Sequence, residues 1–183
     1  MSNARNLANL LGTSTTIPSS KQPAGSVLQV KQATFGSQDS TAPADGPNNF
    51  NASGLSVDIT PSSTSSKILI SYTIFLGHVS AYNMVSQIFR DSTAICKGTD
   101  TSNRTGVSGV LTMYSNSQDT YKVGPTSHTF LDSPSTTNAI TYSIKVRAYN
   151  GNTIFINRSH GNQDTDDFDS VPMSTITVME IAG

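Results

Sequence analysis

The sequence predicts an all-β protein, a jelly-roll-like antiparallel β-sandwich preceded by a short N-terminal helix and a linker. After residue 26, apolar residues alternate with polar ones in about nine or ten short segments, and turn signals separate these segments roughly every 8–15 residues. No helical period follows Gly12. Serine, threonine and asparagine together make up more than a third of the chain, a composition that suits short strands and long polar loops.

The first twelve residues carry the only helical pattern of the sequence. Ser2 is a suitable N-cap, Gly12 a suitable C-terminal stop, and the apolar stripe between them is Ala4, Leu7, Ala8 and Leu11. A helix of this length is marginal alone. We therefore expect residues 1–12 to be an anchor that orders against a partner protein; packing on its own domain and plain disorder are the alternatives.

Residues 13–26 contain two prolines and show no periodicity, which indicates a Ser/Thr/Pro linker. Residues 27–183 are then the β-sandwich. The predicted strands are 26–34, 55–60, 67–76, 84–90, 93–97, 106–114, 126–132, 140–148, 153–157 and 174–181. Residues 35–54 are predicted to form a long polar loop, and Asn150-Gly151 to form a two-residue hairpin turn between strands 140–148 and 153–157.

Two segments give the clearest inward faces. These predicted core residues are Ile68, Ile70, Tyr72, Ile74, Leu76, Ile140, Tyr142, Ile144, Val146 and Ala148. Other apolar residues fall on the opposite, outer faces: Leu69, Phe75, Phe89, Phe155, Met179 and Ile181. Because large exposed apolar faces are normally covered, we expect the protein to be a homo-oligomer.

The overall charge argues against several classes of partner. The net charge is -1 and the pI about 6.2, whereas nucleic acids and anionic membranes recruit clustered positive charge. No apolar run is long enough for a membrane span, so we expect no membrane insertion and synthesis without Sec-type export. The single cysteine excludes an intrachain disulfide and a multi-cysteine zinc site.

The residues that commonly carry catalysis are scattered. His78, His128 and His160 are isolated in sequence, and Cys96 has no neighbour that would lower its pKa. The one glutamate, Glu180, is expected to form a strand-face salt bridge or an interface charge. We therefore predict no enzyme activity, no cofactor and no metal centre.

An acidic segment is the one candidate ligand or cation loop. Its carboxylates are Asp164, Asp166, Asp167 and Asp169. Calcium prefers six to eight oxygen ligands, but the EF-hand spacing is absent. A solvated acidic loop, a cation or interface site and catalytic carboxylates remain as alternatives.

Several phrases of the sequence resemble virion structural proteins of tailed phages, especially aquatic and cyanobacterial ones, that are described as tail fibres. These phrases are ITPSSTSSKILI (59–70), RDST (90–93), FLDSPSTT (130–137), YSIKVR (142–147), INRS (156–159) and STITVMEI (174–181). The opening ARNLANLL (4–11), followed by a Ser/Thr linker, is similar to the start of those proteins.

The resemblance implies a homotrimeric jelly-roll knob, similar in outline to complement- and tumour-necrosis-type domains. It also implies a location in the virion after synthesis in the host cytoplasm, with the N-terminus attached to another virion protein of the tail or capsid. A host-surface glycan would then contact loops 35–54, 98–105, 115–125 and 160–172. The chain lacks the long repetitive shaft of a full fibre, which leaves a short fibre and a capsid-surface decoration open; of these we expect a short tail or head fibre. A capsid decoration or cement protein, a free carbohydrate-binding module and, last, a capsule depolymerase are the alternatives.

Overall fold

The computed structural model describes residues 22–44, 46, 48–78, 83–113, 121–164 and 169–183. The predicted helix 1–12, with Ala4, Leu7, Ala8 and Leu11, and most of the linker lie outside these residues. The described chain forms eleven strands: β1 (Val27–Phe35), β2 (Asp39–Thr41), β3 (Asn51–Ile59), β4 (Lys67–His78), β5 (Asn83–Arg90), β6 (Thr93–Ile95), β7 (Gly109–Thr112), β8 (Val123–Asp132), β9 (Ile140–Ala148), β10 (Ile154–Ile156) and β11 (Ser174–Ile181). They form two antiparallel sheets, which confirms the predicted jelly-roll-like sandwich.

Sheet A is built around β4, the longest strand. Along one edge of β4, β11 pairs with its first half and β10 with its last three residues; β8 pairs along the other edge. Strand β1 then pairs with β11, and β2 with β10. Because β10 continues the line of β11, and β2 that of β1, sheet A is four strand positions wide.

Sheet B has the order β3-β9-β5, and the far edge of β5 pairs with both β6 and β7. Strands β5 and β6 form a hairpin around Asp91-Ser92, between the predicted strands 84–90 and 93–97. Sheet B is therefore also four positions wide. Its inner face lies against that of sheet A, and the core fills the space between them.

The core is the set of inward residues that the alternation predicts. Every one of the ten core residues named above is at most 3% exposed, and they pack with Leu55, Ile59, Met84, Ile88, Ile154, Ile156, Ile176 and Val178. Isoleucine and valine dominate because β-branched side chains pack well on a pleated surface.

Tyr72 is fully buried among these apolar residues and brings a hydroxyl into the core. This hydroxyl lies 2.7 Å from the hydroxyl of Ser86 on sheet B, which lies 3.2 Å from that of Thr126 on sheet A. Burial raises the pKa of Tyr72, although the hydrogen bond with Ser86 lowers it in part. The phenol therefore stays neutral and links the two sheets.

The predicted loop 35–54 is wrong at both ends. Residues 39–41 form β2, and β3 begins at Asn51 rather than Leu55. Gly54 has a φ of +79°, and the pairing of β3 with β9 shifts register between Ala52 and Ser56. The strand thus continues through a β-bulge at a glycine that, read in sequence alone, resembles the end of a loop.

The predicted hairpin at Asn150-Gly151 is also wrong, although its backbone conformation is right. Asn150 and Gly151 have φ values of +54° and +65°, as a type I′ turn requires. However, β9 belongs to sheet B whereas β10 pairs with β2 and β4 in sheet A. The turn therefore carries the chain from one sheet to the other.

The outer faces are covered within the chain more than the sequence predicted. Phe155 is only 8% exposed, and it packs between the guanidinium of Arg158 (4.3 Å from the ring centroid) and the ring of His160. Phe89 is half-buried beneath the Lys145 ammonium, 4.2 Å from its centroid. These two aromatic side chains therefore need no second copy to cover them.

No helix among the described residues has the length and apolar character needed to cross a membrane.

Candidate functional site

The outer face of sheet A carries three rows of side chains that cross β1, β11, β4 and β8 in register. The pairing places Val30, Met179, Leu69 and Leu131 in one row; Gln32, Thr177, Ser71 and Thr129 in the next; and Thr34, Thr175, Thr73 and Ser127 in the third. None of these side chains is charged. We call this surface the neutral face.

The apolar row of the neutral face is exposed to solvent at both of its ends. Val30 is 53% exposed and Leu131 45% exposed, whereas Leu69 and Met179 between them are half-buried. The two polar rows are held by hydrogen bonds between neighbouring strands, such as the 2.9 Å contact between the Thr73 and Ser127 hydroxyls. The face therefore offers a strip of apolar area beside ordered hydroxyl groups.

The outer face of sheet B differs because a loop, residues 97–107, lies beside it. The Lys97 ammonium donates to Asp100, whose other oxygen accepts the backbone N–H of Gly106 at 2.7 Å. Thr101 and Arg104 exchange two backbone hydrogen bonds of 3.0 Å around a tip residue, Ser102, with a φ of +53°. The pKa of Asp100 is lowered, chiefly by the Lys97 ammonium. The loop is thus a short, internally bonded arch.

This arch separates two depressions that share Thr105. The arginine depression has a volume of about 400 Å³ and is lined by Asn83, Asn103, Arg104, Thr105, Val110 and Arg147, among others. The phenylalanine depression has a volume of about 230 Å³ and is lined by Asn48, Phe50, Gln87, Phe89, Lys97 and Thr105, among others.

Cations and rings alternate around the two depressions. The Arg147 guanidinium lies 5.6 Å from the centroid of Phe50, and the Phe50 ring meets Phe89 edge-on at 6.0 Å. Beneath them Gln87 is 1% exposed; its amide nitrogen donates to the Ile95 carbonyl, while its Oε1 has no partner among the described residues. This face therefore combines positive charge, aromatic surface and amides.

The predicted acidic loop is described only in part. Asp166 and Asp167 lie outside the described residues, and Asp164 is exposed. Asp169 accepts hydrogen bonds from the Ser159 hydroxyl at 2.9 Å and from the backbone N–H of Gln163 at 2.8 Å, so its carboxylate is held against these two residues. A cation site here stays a prediction. In the described part of the chain, no three His, Cys, Asp or Glu side chains are placed to hold a metal ion.

The structure separates two of the three histidines, His78 and His128. His128 pairs with Tyr72 in the β4–β8 register, six residues before His78, which places the two about 20 Å apart. His160 lies against Phe155. Cys96 is half-buried against the core, and burial raises the pKa of its thiol.

The expectation for Glu180 is wrong. Its side chain is fully buried, and its two carboxylate oxygens accept hydrogen bonds from Gln29 Nε2, the Ser62 N–H, the Ser62 hydroxyl and the Ser66 hydroxyl, all at 2.6–2.7 Å. The loop 61–66 folds over the end of the sandwich and supplies these neutral donors in place of a salt bridge. Glu180 is therefore a structural group that fixes this loop to β11.

Comparisons with known proteins gave structural likenesses only. No protein-family model matches this sequence, and no curated protein matches it. Among solved structures, a chain from the infectious bursal disease virus Gx strain has a TM-score of 0.39 at 14% identity over 86% of this chain. The VP2 subviral particle of the same virus has a TM-score of 0.40 at 11% identity over 85% of this chain. The present chain spans 33% and 42% of those two chains, and at these scores the likeness supports no inference about function.

Proposed function

We propose that this protein is a structural protein of a virus particle, a short tail or head fibre of a tailed phage that works as a homotrimer. The observation that carries the proposal is the neutral face, where an apolar row and two hydroxyl-rich rows cross all four strand positions of sheet A. A face of this kind is suited to packing against another protein surface.

The chemistry of the neutral face favours a second copy of the same chain as the partner. In a three-fold assembly the side chains nearest the axis meet their own copies, so charged groups there would face like charges, and the neutral face has none. Hydroxyl groups both donate and accept hydrogen bonds, so the polar rows can bond to hydroxyls of a neighbouring copy whichever row they meet. Burial of Val30 and Leu131 then adds the apolar contribution that a stable interface needs.

The role in a particle is supported by the sequence phrases that resemble phage fibre proteins. In this proposal the stripe Ala4, Leu7, Ala8 and Leu11 binds another virion protein, and residues 13–26 set the distance between that contact and the sandwich. Several copies on one particle then supply avidity for the host surface even when each contact is weak.

Phage particles that carry variant chains test the anchor. Leu7→Asp with Leu11→Asp places two charges on the apolar stripe, whereas Asn6→Asp with Asn9→Asp places the same charges off it. We expect the first pair to abolish incorporation into particles and the second to leave it unchanged. Equal incorporation of both would contradict the anchor. Gold-labelled antibody on intact particles is expected to mark projecting fibres; uniform labelling of the shell would instead favour a decoration protein.

A further inference from the structure

The arginine depression combines three kinds of group around one space. Two arginines, Arg104 on the arch and Arg147 on β9, line it together with Asn83 and Asn103. None of the described residues that line it is acidic. A ligand with a negatively charged group and several hydroxyls could bind the arginines through its charge and the asparagine amides through its hydroxyls.

The groups of the depression are held in place by contacts that do not involve a ligand. The arch fixes the backbone of Arg104 through paired hydrogen bonds with the backbone of Thr101, so its exposed side chain projects from a defined position. Arg147 is half-buried and lies over Phe50. Oδ1 of Asn83 accepts a 2.6 Å hydrogen bond from the Thr112 hydroxyl, which orients its amide. Preorganised polar groups of this kind lower the entropic cost of binding.

We propose that the arginine depression binds an acidic sugar unit of a polysaccharide, with its carboxylate or sulfate group against Arg104 and Arg147. Guanidinium groups bind such anions through paired N–H donors, while amides and the Thr105 hydroxyl suit sugar hydroxyls. The valine side chains of the floor, including Val110, suit the C–H surface of a pyranose ring. This inference deepens the attachment role proposed above, on which it rests for the source of the polysaccharide.

The phenylalanine depression extends the site. It adjoins the arginine depression at Thr105 and offers the rings of Phe50 and Phe89 beside the amide of Asn48. Aromatic surface with a few polar groups is typical of small-ligand sites. The next sugar of the chain would lie here, so the protein would bind an acidic oligosaccharide better than the isolated acidic monosaccharide.

Nucleic acid fits the surface less well than a saccharide. The phosphate backbone recruits an extended set of cations, but Lys97 on the arch is paired with Asp100, and the chain carries a net charge of -1. Two arginines in one depression match a single acidic group better than a charged polymer of regular spacing.

Isothermal titration calorimetry on the full chain tests the proposal with four probes. These are a polyuronate oligosaccharide, a sulfated oligosaccharide, a neutral glucan of similar length and single-stranded DNA. We expect one of the two acidic saccharides to bind, and which one binds separates carboxylate from sulfate recognition. Arg104→Gln with Arg147→Gln should weaken that binding about tenfold or more, because each change removes a charged hydrogen-bonding partner.

Arg158→Gln is the matched control, since Arg158 also lies over a phenylalanine ring but on sheet A. It should leave binding unchanged. Thermal unfolding of each variant checks the fold. The double variant Arg104→Lys with Arg147→Lys keeps the charge but loses the paired donors, so its affinity for the acidic saccharide should lie between those of the wild type and the glutamine variant. The proposal is overturned by equal binding of the neutral glucan, by stronger binding of DNA, by no binding of either acidic saccharide, or by an unchanged affinity in the glutamine variant. None of these results bears on particle incorporation or oligomeric mass, so this inference and the proposed function fail separately.

Discussion

The Tyr142 hydroxyl on sheet B donates a 2.7 Å hydrogen bond to Oδ2 of Asp132 on sheet A. The same carboxylate accepts from Arg90 Nη1 on β5, at 3.1 and 3.0 Å to its two oxygens. Burial raises the pKa of Tyr142, and the Asp132 carboxylate raises it further. Both sheets thus meet at one carboxylate near the end of the sandwich, in addition to the apolar core.

Tyr142→Phe is expected to destabilise the protein by roughly 1.5–3 kcal/mol, because a hydrogen bond to a charged acceptor is lost. Tyr72→Phe is the matched comparison, since Tyr72 is equally buried but bonds to the neutral Ser86 hydroxyl, and it should cost only about 0.5–1.5 kcal/mol. Urea unfolding of both variants measures the difference. An equal or larger loss at Tyr72 would contradict this account of the Asp132 contact.

The stabilising contribution of the Glu180 carboxylate is expected to be lost in acid. Burial alone would raise its pKa, but the hydrogen bonds from Gln29, Ser66 and Ser62 outweigh burial and lower it. A carboxyl group whose pKa is lower in the folded than in the unfolded protein stabilises the fold at pH values above its unfolded pKa, which is about 4.3 for glutamate. This stabilisation is lost as the pH falls through the pKa of the folded state.

Glu180→Gln separates this effect from general acid unfolding. At pH 7 the variant should be less stable by roughly 1–3 kcal/mol, because an amide cannot accept all the donors that the carboxylate satisfies. The gap between wild type and variant should narrow as the pH falls below about 4. Urea midpoints measured from pH 7 down to 3 test this; a gap that is constant or widens in acid would show that the carboxylate does not contribute as described.

Gly77 is expected to be intolerant of any side chain. A Cβ at this position would overlap the Arg158 carbonyl oxygen, which is backbone and has little freedom to move. Gly77→Ala should therefore cost roughly 1–3 kcal/mol, as other overpacked sites do. At Gly36, by contrast, a Cβ would have nothing within 4 Å, so Gly36→Ala is the control and should change stability by less than half as much. Thermal unfolding of the two variants distinguishes them; similar losses would place the close approach at Gly77 in doubt.

The inward faces of β4 and β9 could be predicted because their side chains alternate between unlike environments along one strand. That signal is local: Tyr72 and Tyr142 point inward with their isoleucine neighbours, and the structure buries both. The conformation of Asn150-Gly151 was equally local and was predicted correctly. The pairing of the following strand could not be predicted from local sequence, because nothing in the turn determines whether β10 pairs within sheet B or crosses to sheet A.

The candidate surfaces depend on contacts between distant segments, which the sequence does not display. Val30 and Leu131 lie in one row only because β1, β11, β4 and β8 pair in a particular register. Arg104 and Arg147 line one depression only because the arch packs beside sheet B. The outward position of Arg147 on β9 was visible as alternation, but its neighbour across the depression was not. Glu180 was misjudged for the same reason, since its donors come from loop 61–66 and from β1.

The neutral face predicts which substitutions separate the copies. Leu131→Lys, made at one end of the apolar row, places a charge from each of the three copies in the packed interface and should shift the protein to a single copy. Val171→Lys is the control, since Val171 is 56% exposed but lies outside the three rows. Sedimentation velocity of both variants measures the shift, and dissociation by the two changes alike would show that charge, not position, is responsible.

The most direct test of the central claim, that copies of this chain assemble through the neutral face, is the molar mass of the full chain in solution by light scattering. We expect a mass three times the chain mass of 19.4 kDa for the wild type and a single chain mass for Leu131→Lys. A wild-type protein that has the mass of one chain at all concentrations, or a Leu131→Lys variant that keeps the wild-type mass, would contradict it.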